Sequence, residues 1–286
     1  MRKSIFERLE QRFSNPLDEY VKISSFLRQK ACYYSHTINE CFSTLFSYCN
    51  ILRKHYTDFE DCISKNIGIL EHYFSYIGNE TFNGFNDSSK EDILDSFLTY
   101  IEIIECMLCV FDEYADEIWD SSYIDESIIN QAKEMIDESL KSINYKIEEK
   151  STSFVKIIKI DPVSEYVAQQ SEPNMKTAIM NYLAVRDNNI EEKERSLHDL
   201  IDLLEPSFKK FKTVEIINKA SEFSQVIRHP EIKKDEKEYQ WFFKNKRKFL
   251  DELFSLCIFT QQYVLNKRIA ESLESKKWLE NNDRPN

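Results

Sequence analysis

Glycine and proline are scarce in this chain, with 3 Gly and 6 Pro among 286 residues. Both punctuate turns, bulges and tight loops, so a β-rich or α/β protein of this length needs many more. Their scarcity predicts an all-α protein of long helices joined by few loops. It also excludes glycine-rich phosphate loops, because Gly68, Gly78 and Gly84 match neither nucleotide-binding spacing. No apolar run approaches the ~20 residues that span a bilayer. The most apolar stretch, Ile101 to Phe111, is interrupted by Glu102 and Glu105, so no membrane partner is expected. HExxH is missing, which leaves a zinc hydrolase unsupported, and no serine sits in a nucleophile elbow. No cofactor and no metal are expected. The opening MRKSIFERLEQRF is charged and amphipathic and does not read as a signal peptide. A cytoplasmic location is therefore expected.

What the chain does carry is apolar and acidic. Hydrophobic residues reach 42%, enough for a sizeable core. The 20 Phe and 15 Tyr supply large buried area per residue. The formal net charge of −12 is unevenly spread. Residues 1–150 hold 28 acids against 15 bases, whereas the remainder holds 22 acids against 23 bases. Asp87 to Glu138 is sharper still, with 16 acids against Lys90 and Lys133. Lys209 to Lys277 reverses the sign, with 16 bases against 10 acids. Such a chain is a poor general nucleic-acid binder, though a locally basic third can attract phosphate. Solvated helix faces are the simpler account of both biases. The seven cysteines are odd in number and sit in apolar helical patterns, so reduced, buried thiols are expected. Cys106 and Cys109 form a CxxC, but no second pair lies at finger spacing.

Taken in order, the spacing predicts a short helix over Ser4–Phe13, broken at Ser14-Asn15-Pro16. A helix of more than thirty residues follows, from near Asp18 through Tyr20, Ile23, Leu27, Ala31, Tyr34, Ile38, Cys41, Leu45 and Leu52. The next runs from Thr57 to Tyr76 and stops at Gly78-Asn79. After a polar loop, Ser89 caps a helix reaching Trp119, and a fourth covers Asp125 to Glu149. The acids of these two helices lie mainly off the apolar stripe. They form either a solvated surface or a docking face for a basic partner. Ser151 to Pro162 breaks the pattern, as a short strand or the last helical turns, and reads as a joint between an acidic bundle (1–150) and a second module (163–286). In that module Asp161-Pro162 opens a helix and Ser171-Glu172-Pro173 breaks it. Leu197, Leu200, Ile201 and Leu204 form a stripe whose strongest part ends at Glu205-Pro206, and Ser207 to Phe211 continues it. Thr213 caps a helix that runs to Ile227, and Asp235 starts a long final helix.

Arg228-His229-Pro230 stands where one helical pattern stops and the next begins. Pro230 biases His229 away from helical geometry. An Arg-His pair at a helix end complements the dipole there. It also has chemistry to offer: imidazole can move a proton at a ribose hydroxyl, and guanidinium can hold a phosphate. The basic run around it supplies Lys233, Lys234, Lys244, Lys246, Arg247 and Lys248 as candidate phosphate contacts. Trp241 and Phe242 read as core aromatics, with base stacking as the alternative.

The segments AIMNYLAVRDNNIEEKERSLHDLIDLLEP and INKASEFSQVIRHPEIKKDEKEYQWFF resemble the C-terminal module of helical proteins of bacterial abortive-infection systems, similar to the HEPN superfamily. The resemblance covers about residues 163–265. It implies a helical bundle, often dimeric, and in many members a metal-independent RNase with Arg228 and His229 as catalytic candidates. The chain departs from that motif, since Arg228 and His229 are adjacent where the family spaces them by several residues. Arg195 and His198, three apart on one helix, also miss it. Three readings follow: a defence-type protein that binds RNA or a partner protein, a non-catalytic scaffold or interaction subunit, and a metal-independent RNase toxin. A protein partner or a homodimer is expected in the first two.

Overall fold

The computed structural model describes residues 15–76, 87–233 and 239–282, and helices dominate them. The expected helix over Ser4–Phe13 and the Asp235 start lie outside the described residues, as does the Gly78-Asn79 stop. By its contacts the chain divides into two units, Met1–Ile160 and Asp161–Asn286. The fold is all-α, with two small antiparallel strand pairs among the described residues.

The first unit opens with α1 (Pro16–Gln29). Asn15 caps it by accepting the Leu17 N–H at 3.0 Å, and Pro16 takes the first turn, where no N–H is required. Leu17, Tyr20, Ile23 and Leu27 bury one face. The single helix expected from Asp18 past Leu52 does not form. Lys30 turns extended, and β1 (Ala31–Tyr33) pairs with β2 (His36–Thr37) around Tyr34, which sits at φ 47°. A capping box then starts α2 (Ile38–Leu45): Thr37 Oγ1 accepts the Glu40 N–H, and Glu40 Oε2 accepts the Thr37 N–H at 2.7 Å. Ala31 and Tyr34, which carry the helical spacing in the sequence, are exposed here; the hairpin sends Cys32 into the core instead, with its Sγ donating to Cys41 Sγ at 3.5 Å. Periodicity alone therefore could not reveal the interruption; the Thr37–Glu40 box could.

After α3 (Asn50–Arg53) and α4 (Phe59–Tyr76) comes α5 (Asp87–Ile118), the spine of the unit. It packs on α1, α2, α4 and the strands β3 and β4 described below. Ile93, Phe97, Ile101, Ile104, Met107 and Leu108 are buried along it. Each such side chain contributes about 1.5–3 kcal/mol by leaving water. α6 (Glu126–Ser142), capped by Asp125 on the Ser127 N–H, stops short of the expected Glu149. Asn144 adopts φ 68°, a left-handed position that asparagine tolerates, and its Nδ2 donates to the Ile160 carbonyl. The chain then runs as β3 (Tyr145–Lys150), paired with β4 (Val155–Lys159). Thus the supposed joint is mostly a hairpin belonging to the first unit, with Ile157 and Ile158 buried.

The second unit holds α7 (Pro162–Gln170), α8 (Pro173–Ala184), α9 (Ile190–Lys210), α10 (Glu215–Arg228), α11 (Pro230–Lys233), α12 (Gln240–Lys244) and α13 (Lys246–Asn282). Asp161 caps α7 through the Val163 and Ser164 N–H groups, as its sequence predicts. α9 packs against α8, α10 and α13. Pro206 does not end α9. It lacks the N–H that would bond the Asp202 carbonyl, but buried Leu204 and Phe208 on either side hold the helix to Lys210. Thr213 is not the cap of α10 either; Val214 occupies that position and offers no side-chain bond.

Candidate functional site

Arg228 is the last residue of α10, and His229 closes the helix at φ −134°, ψ 56° with its N–H on the Gln225 carbonyl. The two side chains meet different surroundings. Arg228 is half-buried and reaches across to α9, where its guanidinium meets Glu205 and, at 2.7 Å, Asp202 Oδ1. His229 is exposed. Asp202 also lies 3.3 Å from His198 Nδ1, and Glu205 pairs with Lys209 at 3.0 Å. Arg228 is thus the hub of a charged row along α9. Burial works against its charge, but the hydrogen bonds it donates to Glu205 and Asp202 outweigh it and hold its pKa up. The same contact, with Lys209 second, holds the Glu205 carboxyl below the usual carboxylate range. An arginine already clasped by two carboxylates has little attraction left for a phosphate.

The basic run behaves in part the same way. Lys246 Nζ pairs with Glu194 at 2.7 Å, and Arg247 Nη2 with Asp187 at 3.0 Å. Lys244 and Lys248 face solvent, the latter 5.8 Å from the ring centre of Trp241, which is itself exposed. The phosphate-contact reading of Lys234 and of the Lys233 side chain falls outside the described residues. Arg247, Lys248, Asp251, Glu252 and Ser255 line a shallow depression of mixed charge. Phe242 packs edge-on against Phe223 and leans on Phe249, as an aromatic of the interior does.

The polar centre of this unit is a residue that motif reading passed over. Lys193 is only 4% exposed. Its Nζ lies 2.7 Å from Asp187 Oδ1 and 2.8 Å from Asp251 Oδ1, and 5.3 Å from the Tyr182 ring centre. The Tyr182 hydroxyl donates to the same Asp251 oxygen at 2.8 Å, and its ring stacks on Phe254 at 4.0 Å. Burial first, then the Asp251 charge, pushes the Tyr182 phenol up, so it stays a proton donor. A buried lysine with two carboxylates is chemically competent to hold α8, α9 and α13 together. The signal was present: Lys193, Leu197, Leu200, Ile201 and Leu204 share one stripe, and a lysine on an apolar stripe needs a partner.

Among the described residues no group of three or more His, Cys, Asp or Glu is placed to hold a metal ion. Nor is any helix there long and apolar enough to cross a membrane. Cys106 and Cys109 do not form a metal site with their neighbours; burial pushes the Cys106 thiol up to about 12. Compared with known protein families, curated proteins and solved structures, the chain matches none.

Proposed function

We propose that this chain is a non-catalytic helical interaction protein, with a HEPN-like second unit of the kind found in cytosolic bacterial abortive-infection systems. Its partner is a protein, and RNA is not its ligand. The observation that carries this is the fate of the cations. Arg228, Lys246 and Arg247 are each engaged by carboxylates of their own unit. Nucleic-acid affinity comes from cations that neutralise phosphates and release counterions, and these are neutralised already. His229 is exposed while Arg228 is held by Asp202 and Glu205, which speaks against the pair holding a phosphate and moving a proton beside it. Exposed apolar residues support the partner: Ile269 and Leu273, one turn apart on α13, are 56% and 60% exposed.

The deciding measurement is anisotropy of a labelled single-stranded RNA, titrated with the full chain at low and moderate salt. No saturable binding is expected, and no cleavage in the presence of a chelator. Micromolar, steeply salt-dependent binding would sink the reading. So would cleavage that disappears in His229→Ala.

A further inference from the structure

The first unit carries an exposed aromatic face with a cavity beside it, and no part of the fold described above uses either. Tyr34, at the tip of the β1–β2 hairpin, is 62% exposed. Tyr123, in the turn Ser121–Tyr123, is 52% exposed, and the two rings stack at 4.5 Å and 21°. Solvent-facing tyrosines at these exposures gain little for the core. Their mounting is nonetheless firm. Asp125 N–H donates to the Cys32 carbonyl at 2.7 Å, and Tyr33 bridges to Ile124, so hairpin and turn move as one piece. Behind them Tyr33 stacks on Trp119 at 5.3 Å, and Trp119 leans on Phe111.

The same turn forms one wall of a cavity of about 200 Å³. Phe111, Ala115, Ile124 and Ile129 supply its apolar lining, while Asp112, Asp116 and Glu126 supply carboxylates. That volume is below the roughly 300–1,000 Å³ of sites that enclose a whole small molecule, and it suits one long side chain. Lys133 lies in the lining and is spoken for by Asp112 at 2.7 Å. Asp116 and Glu126 make no ion pair among the described residues. The surrounding chain sets the sign: Asp112 to Glu126 holds seven carboxylates and no Lys or Arg. An apolar-lined slot, two unanswered carboxylates and an adjoining aromatic face together complement a cation on a long aliphatic stem.

We propose that this face docks an arginine- or lysine-bearing peptide segment of a partner protein. One cationic side chain enters the cavity between Asp116 and Glu126, and a neighbouring one lies on the Tyr34–Tyr123 pair. The proposal rests on the reading of the chain as an interaction protein and names the chemistry of its partner. Because hairpin and turn are already joined, little ordering is lost on binding.

The test uses the full chain and two labelled peptides of about ten residues, one alternating Arg and Gly, one alternating Gln and Gly, in about 150 mM salt to screen the general acidic field. The Arg-Gly peptide is expected to bind saturably and the Gln-Gly peptide not at all. Tyr34→Gly with Tyr123→Ala is expected to weaken binding about tenfold. Asp116→Asn with Glu126→Gln does the same, whereas Glu134→Gln with Glu138→Gln, removing equal charge elsewhere on α6, changes it less than about twofold. Circular dichroism melting checks folding. Should the tyrosine pair fail to fold, Tyr34→Gly alone, which eases the backbone, carries that arm. Absence of peptide binding overturns the proposal. So does an unchanged affinity in the tyrosine variants, or equal weakening by the two carboxylate pairs, which marks a diffuse field. A chain silent toward both RNA and peptide keeps the interaction reading and loses only this surface; a chain that binds RNA loses the reading itself.

Discussion

The two units treat charge in opposite ways. In the second, cations and carboxylates meet across helices: Arg228 on α10 with Asp202 and Glu205 on α9, and Lys193 on α9 with Asp251 on α13. In the first, the helix–helix contacts are mainly apolar and most of the acids lie outside; Glu105 is buried, Asp112 on α5 meets Lys133 on α6, and Glu19 on α1 accepts from Ser139 on α6. The difference teaches where to look for a partner. The basic run attracts the eye in the sequence, but much of its charge is consumed within the unit. The acidic unit keeps its charge outward, around aromatics that the core does not need.

The comparison is broken most directly by removing one anchor from each unit. Phe97→Ala, in the apolar core of the first, is expected to cost about 3–5 kcal/mol. Lys193→Ala, in the second, leaves two carboxylates facing each other and is expected to cost about 3 kcal/mol, at the low end for a buried pair. The low end applies because the Asp251 side chain keeps 45% of its exposure, so water screens it. Urea unfolding of both variants measures this. A Lys193→Ala cost under about 1 kcal/mol would mean that apolar packing holds the second unit without help from this charge cluster.

Arg228→Ala is next in size. Its partners Asp202 and Glu205 remain 55% and 33% exposed, so water re-solvates them when the guanidinium goes. About 1–2 kcal/mol is expected, against less than about 0.5 kcal/mol for His229→Ala. Equal costs in the same unfolding experiment would contradict the different burial and pairing of the two side chains.

The pH response separates the units by sign. Glu205 is held low by Arg228 and then Lys209, so its contribution is present above the unfolded carboxylate pKa of about 4.3 and is lost as pH falls through its lower folded value. Glu105 is pushed up by burial, against the opposing hydrogen bond from Lys150 at 2.8 Å, and one of its oxygens makes no hydrogen bond. Folding therefore favours its protonated form, and that contribution is lost as pH rises from about 4.3 through the raised folded value. Unfolding curves between about pH 3 and 7 should show Glu205→Gln flattening a rise with pH and Glu105→Gln flattening a fall. Matching signs in the two variants would end the contrast.

Much of the fold was legible because helices write their period and their stops into the chain. The α7 start at Asp161-Pro162 and the break before Pro173 were read from caps and prolines alone. The misreadings share a cause. Between Gln29 and Ile38, and again after Ser142, apolar residues such as Ala31, Tyr34, Ile143 and Ile147 recur in the sequence at nearly helical intervals although the backbone is not helical, so periodicity could not tell strand from helix. The candidate site was legible only as residue types. That Arg228 would turn toward Asp202 and Glu205 depends on how α9 and α10 pack, 26 and 23 residues apart in sequence. The Tyr34–Tyr123 face was beyond sequence reading for the same reason: its two halves meet only because the hairpin and the turn are joined by backbone hydrogen bonds.

The smallest expected effect is the most direct probe of that face. Among the described residues two that are not glycine take positive φ, Tyr34 at 47° and Asn144 at 68°. Asn144 has a structural reason, since its side chain donates to Ile160 and asparagine tolerates this backbone region; Asn144→Ala should cost about 1 kcal/mol. For Tyr34→Gly three terms compete. Relief of the left-handed backbone returns about 1–2 kcal/mol. Loss of the stacking with Tyr123 removes about 0.5–1.5 kcal/mol. The greater freedom of glycine in the unfolded chain costs about 0.5–1 kcal/mol. These nearly cancel, and thermal melting should find Tyr34→Gly within about 0.5 kcal/mol of the parent. A loss beyond about 1.5 kcal/mol would exceed what an exposed ring pair supplies. It would make Tyr34 part of what holds the hairpin to the turn, and the aromatic face would then be structure and not spare surface.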